Sequence, residues 1–261
     1  MLRSLYTAAS GMAAQELKMD VISNNLANSG TVGYKSQRAE FEDLLSETMR
    51  TAQGPSPTTG AQPVGLQVGL GVRPAATSRS MAQGALTNTN NPTDLAIQGD
   101  GFFRVQQANG QMAYTRAGNL RVDATGRLVT QHGEIIQPGI NVPTGTTQLT
   151  IGADGTTTAL VSGSTTPQEL GTIELATFVN PGGLTDLGNN LMGATQASGD
   201  PQILKPGDQN AGTLAQGYTE NSNVTAVDQM IDIITTQRAY ELNSKVVEAG
   251  DEMLQKLTSL R

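Results

Sequence analysis

The two ends of this chain carry an apolar spacing that the long stretch between them lacks. In residues 1–28, Leu5, Met12, Met19 and Leu26 recur by sevens, with Ala8 and Ile22 at the intervening positions and Gln15 as the polar exception. That is the seam of a coiled coil rather than a broad core-facing stripe. In residues 222–261, Val224, Val227, Ile231 and Ile234 recur at threes and fours, followed by Leu242, Val246, Ala249, Met253, Leu257 and Leu260. Arg238 interrupts this second stripe. The spacing predicts a C-terminal helix on the order of 55 Å long and an N-terminal one of about 35 Å. Such lengths are out of scale with a globular domain of this size. Ala8, Ala9, Gly11, Ala13 and Ala14 make one stretch slim enough for close backbone approach. The run "NNLANSGTVG" (24–33) then stops the first helix. Thr225 and Asp228 fit a capping box opening the last helix, with Asn223 as the rival N-cap.

Two readings of these stripes compete. In one, the end helices pack against each other inside a monomer; in the other, they pack between the subunits of a polymer. A long apolar stripe left in water invites aggregation, and a single two-helix hairpin covers only part of it.

Between the helices the period changes to two. "LAIQGDGFFRV" (95–105), "QLTIGADGTTTAL" (148–160) and "GTIELATFV" (171–179) read as strands. Asn109-Gly110 and Asp154-Gly155 read as hairpin turns, and Ala124-Thr125-Gly126 as a turn. The expected fold is therefore mixed and mainly β: an all-β central domain, a barrel or sandwich, with long coiled-coil-like α-helices at both ends. "SETMRTAQGPSPTTGAQPVG" (46–65) loses apolar periodicity and gains Pro, Gly and Thr, as a linker or an extended arm does. The expected domains are a helical stem (1–30 with 222–261), a connector carrying the arm (31–80 with 205–221) and the β domain (81–204).

Little in the sequence points to catalysis. The single histidine, His132, falls in a strand-and-turn context and reads as an exposed turn residue, with no nucleophile elbow anywhere. "GLGVRP" (69–74) and "GDGFF" (99–103) lead into no helix, so they read as turns rather than dinucleotide loops. The acidic loops at Asp94, Asp100, Asp123 and Asp154 lack calcium-loop spacing. Glu40, Glu42 and Asp43 read as the solvated side of a short amphipathic turn whose buried side is Phe41, Leu44 and Leu45. There is no cysteine, hence no disulfide or thiolate metal site. A formal net charge of -7 without any Lys/Arg cluster gives no footprint for nucleic acid or an anionic membrane. Neither a secretory h-region nor a membrane-spanning run is expected. No catalytic, cofactor or metal residues are assigned.

At this point four ordered blocks carry a resemblance. "NNLANSGTVGYK" (24–35) resembles the opening motif of the rod, hook and hook-associated proteins of the bacterial flagellum, with Tyr34 where Phe is usual. "NVTAVDQMIDIITTQRAYELNSKVVEAGDEMLQKL" (223–257) resembles the closing signature of that family. "DLAIQGDGFFRV" (94–105) and "YTRAGNLRVDATGRLVTQHG" (114–133) are similar to its middle blocks. The length, "QRAEFEDLL" (37–45) and residues 71–97 are most like the distal rod subunits, with a second rod protein of similar length, or the hook subunit, as the alternative; a secreted fibre outside the flagellum is the remaining one.

The resemblance implies a structural subunit of a straight, rigid tube that carries torque from motor to hook across the periplasm. It implies export through the flagellar type III apparatus without a cleaved signal. Partners would be further copies of the chain, the proximal rod proteins, the hook protein and the surrounding ring proteins. The implied assembly motif comprises Asn24, Asn25, Leu26, Ala27, Asn28, Thr31, Gly33, Tyr34 and Lys35, with Gln237, Arg238, Ala239, Tyr240 and Glu241. The helix seam comprises Leu5, Met12, Met19, Ile22, Val227, Ile231, Ile234, Leu242, Val246, Met253 and Leu257. At the bend after Asn28 the Asn side chains are expected to cap backbone groups, and Gly30 and Gly33 to permit its dihedrals.

Overall fold

The computed structural model describes residues 2–50, 64–164, 166–208 and 210–259. The chain is mixed and mainly β, with a long helix at each end, Leu2–Ala27 (α1) and Ala226–Ser259 (α2). It divides into two units: a helical unit of residues 1–26, 37–78 and 225–261, and a β unit of residues 27–36 and 79–224.

In the helical unit, α1 and α2 run antiparallel. Leu5 meets Gly250, Gly11 meets Asn243, and the Asn25 amide donates to the Gln229 side chain at 3.2 Å. Residue numbers rise along one helix as they fall along the other. Thr225 opens α2: its carbonyl accepts the Gln229 N–H and its hydroxyl bonds the Asp228 carboxylate. Two short ribbons complete the unit. Gln37–Asp43 pairs with Val72–Arg79, and Glu47–Arg50 pairs antiparallel with Leu66–Val68. The expected arm at 46–65 therefore has strand pairing at its described shoulders, while residues 51–63 lie outside the described residues.

The expected turn at Glu40–Leu45 is instead a strand. Alternate residues of a strand share a face, so Gln37, Ala39 and Phe41 are half-buried while Arg38, Glu40 and Glu42 are exposed. Leu45 falls past the strand's end and stands in solvent, 89% exposed.

The β unit is built on a nine-stranded sheet, a three-stranded sheet and two-stranded ribbons. The expected hairpins are present. Phe102–Gln106 returns as Met112–Thr115 around Asn109-Gly110, Thr146–Ile151 returns as Thr156–Val161 around Asp154-Gly155, and Arg121–Val122 returns as Leu128–Val129 around 124–126. Two stretches read as single strands are broken. Residues 95–105 form Leu95–Gln98 and Phe102–Gln106 because Gly99 and Gly101 turn the chain through positive φ. Residues 171–179 divide between the end of Gln168–Thr172 and Leu175–Thr177, which belong to different sheets. Residues 205–221 supply Thr213–Gln216 and Tyr218–Glu220, which pair with Leu95–Gln98 and Leu86–Asn88. One continuous core collects Leu95, Ile97, Phe103, Val105, Leu128 and Leu175, all inaccessible to solvent.

Two turns of this unit carry a pH dependence. The Asp123 carboxylate accepts the Thr125 hydroxyl at 2.6 Å and the Arg127 N–H at 3.0 Å, and Asp154 accepts the Thr156 hydroxyl at 2.7 Å. The threonine hydroxyls lead in holding both carboxyls below their ordinary 3.8. A lowered folded-state pKa supplies stability that is fully present above 3.8 and lost as pH falls through the folded values. Thermal unfolding of the wild type followed from pH 5 to pH 2 should therefore fall more steeply than that of Asp123→Asn/Asp154→Asn. Parallel curves would exclude this role.

Candidate assembly site

In the first half of α2 the stripe expected as a seam faces away from α1, and in the second half it swings round to the flank while staying exposed. Gln229, Thr236, Asn243 and Gly250 meet α1 or are shut from solvent, and Ile233, Val247 and Leu254 are half-buried on the same face. Placed on a wheel of 3.6 residues per turn, Val227, Ile231 and Ile234 lie roughly 130–170° round from that line, Leu242 about 100° from Asn243, and Val246 and Met253 only about 60° from Asn243 and Gly250. All six stripe residues are exposed, from 48% at Val246 to 68% at Val227. The side chain of Leu257 lies outside those described. The α1 residues differ: Ile22 is buried, and Leu5, Met12 and Met19 are half-buried.

The monomer packing therefore uses one face of α2 and leaves its apolar face open. Each such side chain is worth about 1.5–3 kcal/mol when fully buried. The α1-facing line is masked in the sequence because Gln, Thr, Asn and Gly interrupt its apolar members Ile233, Val247 and Leu254, while the exposed stripe is more continuous. The stripe has a second regularity as well. Ile231, Leu242 and Met253 recur every eleventh residue, a period that favours right-handed supercoiling of packed helices.

The Asn-rich motif divides between the two units. In the helical unit, Asn25 is buried and reads the backbone of Gln37 at both ends: its carbonyl oxygen accepts the Gln37 N–H at 2.9 Å and its amide donates to the Gln37 carbonyl at 2.7 Å. Leu26 is half-buried and Asn24 exposed.

In the β unit, Ala27 is exposed, and Thr31 bonds back to Asn28 through both its N–H and its hydroxyl. Gly33 sits at φ 72, and a Cβ there would lie 2.7 Å from the Ala117 nitrogen and 2.8 Å from the Arg116 carbonyl carbon. Gly30 does not share this need: its φ is not positive, and nothing lies within 4 Å of where its Cβ would be. Gly33→Ala should accordingly destabilise the β unit by more than about 2 kcal/mol, from left-handed backbone strain plus a backbone clash. Gly30→Ala should stay within about 0.5 kcal/mol of wild type. Urea unfolding of the two variants reads the difference, and equal losses would overturn the assignment.

Tyr34 is half-buried; burial raises its hydroxyl above the ordinary 10.0, with the nearby Arg79 charge opposing. Lys35 is almost wholly buried. Its ammonium donates to the Glu220 carboxylate at 2.6 Å and to the Ala82 carbonyl at 2.8 Å. Arg116 meets the other Glu220 oxygen at 3.3 Å and donates to the Gly99 carbonyl at 2.7 Å, while the Gly84 N–H donates to Glu220 at 2.9 Å. Three charges thus share one site with side-chain exposures of 0–3%. Burial draws both the Lys35 ammonium and the Arg116 guanidinium below their ordinary values, and the Glu220 charge opposes it. Arg116 and Glu220 carry no local signal of this role, since no spacing joins residues so far apart.

Of the C-terminal motif, Gln237, Arg238, Tyr240 and Glu241 are exposed and Ala239 is half-buried. His132 is an exposed turn residue. No helix among the described residues is long and apolar enough to cross a membrane. Among the described residues no group of acidic or histidine side chains is placed to hold a metal ion.

Three family models match in order along the chain: the flagella basal body rod protein over residues 5–35, the flagellar hook protein FlgE/F/G D1 domain over 96–159, and the flagellar basal body rod FlgEFG protein C-terminal region over 215–260. The flagellar basal-body rod protein FlgG of Caulobacter vibrioides is 48% identical over the full length of both chains. FlgG of Buchnera aphidicola subsp. Acyrthosiphon pisum is 47% identical, again over both full lengths. The chain belongs to the flagellar basal-body rod protein FlgG family. The FlgG family is a structural one, and the chain is a flagellar rod protein rather than an enzyme.

Proposed function

We propose that the chain is a subunit of the distal rod, polymerising into a rigid tubular drive shaft that carries torque from motor to hook. The observation that carries this reading is the open apolar face of α2, with Val227, Ile231, Ile234 and Leu242 all more than half exposed. Further copies of the same chain cover that face. Each subunit then contacts several neighbours through heterologous interfaces, as resistance to twisting requires. In this reading residues 1–30 with 222–261 form the inner stem, 31–80 with 205–221 the connector, and 81–204 the outer β body. The two motifs, 24–35 and 237–241, are assembly motifs, and the seam joins subunits. The neighbours at the ends and sides are the proximal rod proteins, the hook protein and the basal-body rings. The rod crosses the periplasm, and the subunit reaches it through the flagellar export apparatus without a cleaved signal.

Deleting the gene and restoring it in a flagellated host tests the whole reading. Loss of hooks and swimming, regained with the gene and accompanied by its product in purified basal bodies, is the expected result. Intact flagella without it would overturn the proposal.

The arm, residues 46–65, is assigned the stiffness of the rod. Pro55, Pro57 and Pro63 fix φ, so an extended arm laid along a neighbouring subunit loses little further entropy on ordering. Hook subunits resemble this chain at their end helices yet form a bendable tube, which points to what differs rather than to the shared seam. Deleting 46–65 should give rods that assemble and bend; straight rods of unchanged stiffness would rule the role out.

A further inference from the structure

Asn223, singled out in the sequence as a rival helix cap, does something else. Its side-chain oxygen accepts the Ser36 N–H at 2.7 Å, and its amide donates to the carbonyls of Ser80 and Ala82, each at 3.0 Å. Its own N–H donates to the Tyr34 carbonyl at 3.4 Å, and Ser80 donates to the Ser36 carbonyl at 2.8 Å. The side chain thus uses its acceptor and both of its donor hydrogens. Every one of these residues belongs to the β unit. Yet the chain leaves that unit immediately after Ser36, enters it at Arg79 and leaves it again after Val224. Asn223 ties those three passages to one another.

The buried charge cluster also touches the same three segments. Lys35 bonds Ala82 and Glu220, the Glu220 carbonyl accepts the Gly33 N–H at 2.7 Å, and Arg116 anchors Glu220 to the sheet. Flexible linkers are rich in Gly and Ser and carry no such cross-ties.

We propose that Asn223 is a staple which makes the three passages act as one mechanical element, so that force on any one of them is shared by all three. This rests on the rod reading given above. Tethers in parallel yield only when several hydrogen bonds break together, whereas independent tethers yield one at a time. Asn223 is accordingly a positioning residue for torque transmission and not for assembly.

The test uses the full chain, with Asn223→Ala and Asn223→Asp. In purified Asn223→Ala the Ser36 amide should exchange about tenfold faster with solvent, while amides of the Phe102–Gln106 strand and the thermal midpoint stay as in wild type. Cells carrying this variant should build rods and swim in dilute buffer, but stall or shed hooks in viscous medium. Asn223→Asp keeps the acceptor and loses the donor, so its Ser36 amide should stay protected while swimming in viscous medium still fails. Wild-type swimming under viscous load in both variants would overturn the proposal, as would failure of Asn223→Ala to form rods. A gene deletion that left flagella intact would sink the rod reading instead, without touching the exchange result.

Discussion

Ile234→Asp should give a chain that folds as before and never becomes part of a rod. Ile234 is 51% exposed on the side of α2 turned from α1, so a carboxylate there stays hydrated in the free subunit. Its thermal unfolding should match wild type within about 0.5 kcal/mol. In a polymer that covers this face the same carboxylate is buried without a partner, at a cost of several kcal/mol per subunit. Repeated along a tube, that cost abolishes assembly. The measurements are circular dichroism of the purified variant, its presence among exported proteins, and motility. A swimming strain would remove the α2 face from the subunit interface. Leu26→Asp is a weaker probe, because Leu26 is already half-buried in the free chain.

The largest effect on the subunit itself is expected at Glu220. Glu220→Leu leaves the Lys35 and Arg116 cations at 1% and 3% side-chain exposure with no counter-ion. Removing one partner of a buried pair costs about 3–5 kcal/mol, most of it from the charge left behind. For a unit of this size the melting temperature should drop by roughly 6–20 °C. Replacing all three residues together, as Lys35→Met/Arg116→Met/Glu220→Leu, should recover much of the loss, since no buried charge then remains. A single variant that melts like wild type would show that the cluster contributes nothing. A triple variant worse than the single would show that the charges attract by more than burial costs them.

These two sites also mark how far the sequence can be read. Both end helices are legible from spacing, and the hairpins at Asn109-Gly110 and Asp154-Gly155 from turn chemistry, because those signals are local. Which face of α2 meets α1 is not local. The exposed apolar stripe advertises itself, while on the packed face Ile233, Val247 and Leu254 are interrupted by Gln229, Thr236, Asn243 and Gly250. Lys35, Arg116 and Glu220 are harder still: charged residues read singly as surface, and only the fold brings Lys35 and Glu220 together across 185 positions. The misreading at Glu40–Leu45 has a smaller cause. The half-buried face of that strand is Gln37, Ala39 and Phe41, which gives no apolar alternation, whereas the apolar Phe41, Leu44 and Leu45 cluster at one end as in a turn.

The polar contacts between α1 and α2 work as a key and its notch. Asn243 fits where Gly11 leaves room, its amide nitrogen 2.9 Å from where a Cβ would stand, and Gly250 does the same for Leu5 at 2.7 Å. Asn25 is matched to both Gln229 and Gln37. If α2 slid by one turn, Asn243 would press on a side chain rather than on an empty notch, and Asn25 would lose an amide partner. An apolar seam tolerates such a slip, because one aliphatic contact replaces another. Here each wrong alignment carries a clash and a stranded amide, so the pair of helices has one permitted length of overlap. Identical overlap in every copy is what an assembly needs if its subunits are to be interchangeable.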